Sequence, residues 1–228
     1  MPAEANSTLI RRRPQAARRA ESDRRMMRAA LKLIAERGSS GISMAQIGLE
    51  AGYSRGLPAE RFGNKVALLE AVVDFSDQWF QKRLAKALAG KRGLAAVKAR
   101  IDAHLDGARD ASGAAIALYQ LYMESMSTVV ELRPRIAALS RSYREGFKSH
   151  LREAIELGEV RGDFDPDEQA TLIVGAMRGI MIQALIDGGV TDLDAAKTYL
   201  FEMFAKALST RGTTWPAGRR QNHARWRS

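Results

Sequence analysis

The 228-residue chain contains no cysteine, which excludes disulfides, thiolate metal sites and cysteine nucleophiles and suits a reducing compartment. Proline is scarce, falling only at positions 2, 14, 58, 134, 166 and 216, most of them places where a helix begins or ends. Histidine is limited to His104, His150 and His223, none with partners at metal-ligand spacing on both sides. Asp163, Asp165, Asp167 and Glu168 lack the glycine and terminal glutamate of a calcium loop, and no phosphate loop or nucleophile elbow occurs. We therefore expect no enzyme, no cofactor and no metal. The longest apolar run, "ATLIVGAMRGIMIQALI", is interrupted by Arg178 and Gln183 and falls short of the ~20 residues of a bilayer span. With no apolar signal core at the N-terminus, the expectation is a soluble, cytoplasmic protein without a membrane partner.

What is present is helical periodicity and positive charge unevenly placed. The net charge is +10. Residues 1–20 hold five arginines, Arg18 and Arg19 among them, against one acid, and residues 211–228 hold five arginines and no acid. The chain between these ends is nearly balanced, so its basicity is a property of two tails of the kind that suit a polyanion. Apolar residues recur at helical spacing from residue 22 to residue 209, and strand-like alternation does not persist. The fold class read from this is all-α with about nine helices. The expected division is a basic disordered arm over 1–20, a three-helix unit over 21–65, a larger helical domain over 66–210 and a basic disordered tail over 211–228.

Within 21–65, "SDRRMMRAALKLIAERG" reads as one amphipathic helix capped at Ser22 or Asp23 and ended by Gly38. Ser43 caps a second, "MAQIGLEA", and Gly52 supplies the positive φ of a tight interhelical turn. Gly48 permits a close crossing, and Ile47, Ala51 and Phe62 are expected to pack on the first helix. Ser54 would cap a third helix, and Lys65 opens a long fourth one. Pro58 falls inside that third helix, where it has no N–H to contribute. The spacing predicts a short helix with a loosened first turn, starting late at Leu57 or Pro58. Helix N-termini at Ser43 and Ser54 would face outward toward phosphate oxygens.

The stretch "RRMMRAALKLIAERGSSGISMAQIGLEAGYSRGLPAERFGNKVALLEAV" resembles the DNA-binding domain of the tetracycline-repressor (TetR) family of bacterial transcription regulators. Ala30, Gly38, Ser43, Ile47, Ala51-Gly52, Ser54, Gly56, Phe62, Lys65 and Leu68-Leu69 stand in the family's order and spacing. The resemblance implies a homodimer that places its second motif helices in the major groove of a pseudo-palindromic operator. It also implies a helical effector-binding and dimerisation domain, and a repressor released from DNA by a small molecule. The sequence departs from the family at Pro58, commonly leucine, at Ala59, commonly an aromatic backbone contact, and at Glu60, commonly histidine or tyrosine. Tyr53 is the candidate replacement for the missing aromatic contact. The DNA-contacting candidates are Ser43, Tyr53, Ser54, Arg55, Gly56, Glu60, Arg61 and Lys65, joined by Arg18 and Arg19 of the arm. Arg55 and Arg61 are the base-reading candidates, since arginine bonds guanine O6 and N7 bidentately.

In the larger domain, Trp79, Phe80, Tyr119, Tyr122, Met123, Met126 and Phe147 are the aromatic and adaptable residues expected around an effector, an apolar or amphipathic molecule. The last two helices are the expected dimer seam. Gly175 and Gly179, four apart, would allow close backbone approach, with Ile182, Leu200 and Phe204 alongside. The competing function is a helical carrier of a hydrophobic small molecule whose motif domain is vestigial.

Overall fold

A computed structural model describes residues 15–209. Arg11–Arg13 and the tail over 211–228 lie outside the described residues. The described residues form α1 (Gln15–Arg37), α2 (Met44–Glu50), α3 (Leu57–Phe62), α4 (Lys65–Leu88), α5 (Gly93–Asp110), α6 (Ser112–Glu124), a 3-10 turn (Val130–Leu132), α7 (Arg133–Glu156), α8 (Pro166–Ile186) and α9 (Leu193–Ala207), with no strand among them. The all-α expectation of about nine helices holds.

Most helix ends follow the local chemistry that the sequence offers. Ser43 accepts from the Gln46 N–H while Gln46 reaches back to the Ser43 N–H, a reciprocal cap for α2. Asp165 and Asp192 cap α8 and α9 through the N–H groups two residues on. Gly38, with φ of 72°, ends α1. The start of α1 is different from the sequence expectation. It begins at Gln15, so residues 15–20 are helical and not part of a disordered arm. The stretch "QAARRA" is made of strong helix formers. Ser22 is accordingly mid-helix, its hydroxyl donating to the Arg19 carbonyl, and Asp23 turns to a partner on α3.

Two apolar clusters fill the interior. The first gathers Met26, Ala30, Leu33 and Ile34 of α1, Ile47 of α2 and Leu68, Leu69, Val72 and Val73 of α4. It continues without a break into Ala117 and Leu121 of α6 and Ile136 and Leu139 of α7. No gap in packing therefore separates residues 21–65 from the larger domain; α1 is shared between the two units. The second cluster joins α5, α7, α8 and α9. Phe147, expected in a pocket, is a core residue of this cluster at 2% exposure. Leu200 and Phe204, expected at the dimer seam, also point inward here, at 5% and 9% exposure. Burying side chains of this size is worth ~1.5–3 kcal/mol each, so the second cluster claims them within one chain.

α8 is 21 residues long and apolar enough, by length and composition alone, to cross a membrane, longer than the interrupted run suggests. Its apolarity serves two faces. Ala170, Ile173, Val174, Met177 and Met181 are buried in the second cluster, while Leu172, Gly175 and Ile182 are exposed and Gly179 half-buried on another side.

Candidate nucleic-acid interface and ligand cavity

The segment from α2 to α3 is built around two glycines. Gly52 takes φ of 79°, and the Tyr53 N–H reaches the Gly48 carbonyl at 2.8 Å while the Gly52 N–H reaches Leu49 at 3.0 Å. This pair of bonds closes the end of α2 and turns the chain. A Cβ on Gly48 would lie 2.5 Å from the Ser54 carbonyl oxygen and 3.1 Å from Cδ of Pro58. The missing side chain is what lets the start of α3 lie on α2.

Pro58 fits this arrangement. Gly56 is the N-cap and Leu57 the first helical residue, so Ser54 is not the cap. The first helical backbone bond runs from the Glu60 N–H to the Gly56 carbonyl at 3.0 Å, beyond the proline. Pro58 therefore sits in the first turn, where an N–H would have no intrahelical partner, and its ring is buried over Gly48. The expected late start is observed, and α3 spans only six residues.

The outer face of this unit carries Ser43, Ser54, Arg55, Gly56, Ala59 and Glu60, all exposed. Among the described residues neither Arg55 nor Glu60 has an ion-pair partner. Arg18 and Arg19 are exposed on the first turns of α1. Tyr53 is half-buried and packs on the first cluster, so only part of its ring is open to a partner. Lys65 is half-buried and donates to the Ile42 carbonyl at 2.7 Å, which ties the start of α4 to the loop before α2.

Arg61 has a different role from the one its sequence position suggests. Its side chain is 11% exposed and bonds both carboxylate oxygens of Asp23 at 2.6 Å. A guanidinium held flat on α1 by a carboxylate is not presented to a base. The pairing is a tertiary contact over 38 positions of sequence, made by the two side chains reaching between α3 and α1.

A cavity of about 410 Å³ opens between α1, α4, α5, α6 and α7. Three of the seven expected pocket residues line it: Trp79, Phe80 and Tyr119. Sequence reasoning missed Arg28, Phe75, His104, Leu118 and Tyr143. Phe80, His104 and Tyr143 form a packed aromatic trio, with ring centroids 5.2 to 5.8 Å apart. Burial, together with the positive Arg178, lowers the His104 pKa to about 4, so this imidazole is neutral near pH 7. Burial also raises the Tyr119 and Tyr143 hydroxyls well above the ordinary phenol range. Trp79 is 45% exposed at the rim.

Tyr122, Met123 and Met126 are elsewhere. They line a groove between α6, α7 and α8 with Arg178, Ser140 and Ile182, on the side where α8 shows Ile182 and Ile186. Arg178 lies over the Tyr122 ring at 4.8 Å and donates to Tyr122 Oη and Ser140 Oγ. Gly175 and Gly179 have nothing within 4 Å of a built Cβ, so this side of α8 packs against no element of its own chain. No group of acidic, histidine or cysteine residues that could hold a metal occurs among the described residues.

Comparison with known proteins agrees with this geometry. Residues 26–72 match the model described as bacterial regulatory proteins, tetR family. Residues 93–200 match the tetracyclin repressor-like C-terminal domain. A search of curated proteins found no match. Among solved structures, a TetR transcriptional regulator from Chloroflexus aurantiacus is 25% identical at a TM-score of 0.75, covering 85% of this chain and 98% of its own. A protein from Saccharomonospora viridis in complex with choline is 20% identical at a TM-score of 0.72, covering 83% and 98%. SmeT of Stenotrophomonas maltophilia, in complex with triclosan, is 21% identical at a TM-score of 0.68, covering 88% and 98%. With both family domains in register on the chain, an N-terminal helix-turn-helix and a C-terminal helical domain, the protein belongs to the TetR family of transcriptional regulators.

Proposed function

We propose that the chain is a dimeric operator-binding repressor, released from DNA when a small molecule enters the cavity between α1 and α4–α7. The observation that carries this is the position of α1. Its Met26–Ile34 face supports α2 and α4, while its Arg28 and Leu31 line the cavity. A ligand there touches the scaffold of the DNA-reading unit directly, so binding and DNA affinity are linked. Two structural neighbours carry small molecules, choline in one and triclosan in the other, which supports a ligand-responsive reading.

The reading head is the exposed face of α3 and its approach: Arg55 as base reader, with Ser43, Tyr53, Ser54, Gly56, Glu60 and Lys65 around it and Arg18 and Arg19 following the phosphates. The dimer forms on the outer faces of α8 and α9. On α8, Leu172, Gly175, Gly179, Ile182 and Ile186 recur at alternating spacings of three and four, and on α9 Tyr199 and Met203 are four apart. Such a stripe is the seam of a helix pair, and Met123 and Met126 lie beside it. The groove they line is then covered by the partner subunit. The protein acts in the cytoplasm, where its operator is.

The test is binding of the full chain to duplex DNA taken from upstream of its own gene, against random duplex, across a salt series. Specific binding is expected, with affinity falling steeply as salt rises. Arg55→Ala should reduce operator affinity about 10- to 100-fold, by ~1–3 kcal/mol, with little change on random DNA and none in thermal stability. Arg61→Ala should instead lower stability, because it removes the buried guanidinium that ties α3 to Asp23 of α1. Ligand affinity without any DNA affinity would favour the carrier reading.

A further inference from the structure

The ligand cavity is apolar in its walls but not neutral in its charges. Arg28, on the α1 side of the cavity, has no ion-pair or hydrogen-bond partner among the described residues. The carboxylate that also lines the cavity, Asp110, is already held by Arg83 at 2.8 Å. A positively charged ligand would thus meet an unneutralised arginine and no free acid. One aromatic face at the rim is already taken by a cation, since the Arg83 guanidinium lies over the Trp79 ring at 5.9 Å. Deeper in, Tyr119 and Tyr143 have hydroxyls without hydrogen-bond partners among the described residues, and both keep their protons to donate. The half-buried Arg178 adds positive potential toward His104.

We infer that the cavity takes an amphipathic organic acid, its apolar or aromatic body among Phe75, Phe80, Leu118 and Tyr143 and its carboxylate on Arg28. Arginine suits this role because its fork matches both oxygens of a carboxylate. The aromatic walls suit a flat or narrow apolar body, and about 410 Å³ accommodates one of drug-like size. The acid bridges α1 to the helices of the larger domain, so the charged head is the part of the ligand that reports to the DNA-reading unit. The inference rests on reading this cavity as the effector site.

The experiment uses one body with three heads: 2-naphthylacetate, its amide, and the 2-naphthylmethyl trimethylammonium ion. Calorimetric titration of the full chain at pH 7.5 is expected to give the acid about tenfold tighter than the amide, with the ammonium ion weakest. In Arg28→Gln, an exposed helix position where the fold is safe, the acid should fall to the level of the amide, while the amide is unchanged. In Ala114→Trp, which fills the cavity, all binding should be lost. Equal affinity of acid and amide, or an acid affinity unmoved by Arg28→Gln, overturns the charge assignment and leaves the cavity as the site. Preference for the ammonium ion does the same. Binding that survives Ala114→Trp, or no binding by any of the three, overturns the cavity reading together with the inference.

Discussion

Gly48 is the residue on which the geometry of the DNA-reading unit turns. Alanine is the better helix former by about 1 kcal/mol, yet its Cβ would sit 2.5 Å from the Ser54 carbonyl, a backbone atom that cannot swing aside. Gly48→Ala is therefore expected to destabilise by ~1–3 kcal/mol and to lower operator affinity, both readable by thermal unfolding and anisotropy. His104 yields a prediction of a different kind. Its folded pKa of about 4 lies below the ordinary 6.5, so below pH 6.5 the unfolded chain takes up a proton that the folded chain refuses. Stability should fall as pH drops from about 6.5 toward 4, by on the order of 1–3 kcal/mol, and be level in this respect above 6.5. His104→Phe should flatten that slope in denaturation curves taken between pH 4.5 and 7.5; an unchanged slope would place the titrating group elsewhere. Pro58 and Arg61 show what residue identity leaves open. The proline was legible as a delay of α3, since its lost N–H is a local matter. The arginine was not legible as a structural ion pair, since Asp23 lies 38 positions away.

Among the elements, α6 connects the two units. Its N-terminal half lines the cavity with Ala114, Ala115, Leu118 and Tyr119. Its last residue, Glu124, accepts from the Ser39 N–H at 2.9 Å and from the Ser39 hydroxyl, and Ser39 is fully buried in the loop between α1 and α2. Nearby, Gln120 donates to the Ala35 carbonyl of α1. Any shift of α6 on ligand entry is thus passed to the loop that also receives Lys65 through Ile42. Glu124→Ala leaves a buried N–H without a partner, a loss of ~1–3 kcal/mol. Hydrogen exchange should show Ser39 losing protection in that variant while the buried face of α8 keeps its own; equal protection at Ser39 would mean the carboxylate is not what holds the loop. The helix itself was legible from "GAAIALYQLYMES". The contacts that Gln120 and Glu124 make near its C-terminal end were not, because they join positions 85 apart.

For the molecule as a whole, the decisive asymmetry is between the buried and open sides of α8 and α9. A single chain leaves Ile186 80%, Tyr199 72% and Leu172 57% exposed, an apolar side that a partner copy would cover. Ile182→Glu adds a carboxylate to that open stripe without reaching the buried face of α8. It is expected to shift the protein from dimer to monomer in sedimentation at micromolar concentration, while helix content stays the same. A variant that remains dimeric would move the seam away from α8. Dimer loss should also weaken operator binding by several orders of magnitude, because two linked half-sites bind far more tightly than one.

Sequence alone determined the helical class, the positions of most helices and the turn at Gly52. It also determined the late start of α3 and the family likeness. Each rests on interactions within a few residues: caps, glycine torsion, a missing N–H and apolar period. Tertiary structure decided which apolar faces meet within one chain. It drew Leu200, Phe204 and Phe147 into the core, left Gly175 and Gly179 uncovered, and separated Tyr122, Met123 and Met126 from the cavity. It also bound Arg61 to Asp23 and left Arg28 free beside the cavity. An arginine reads the same in sequence whether its partner is a distant carboxylate, a phosphate or a ligand, because only the folded chain sets which of these lies within reach.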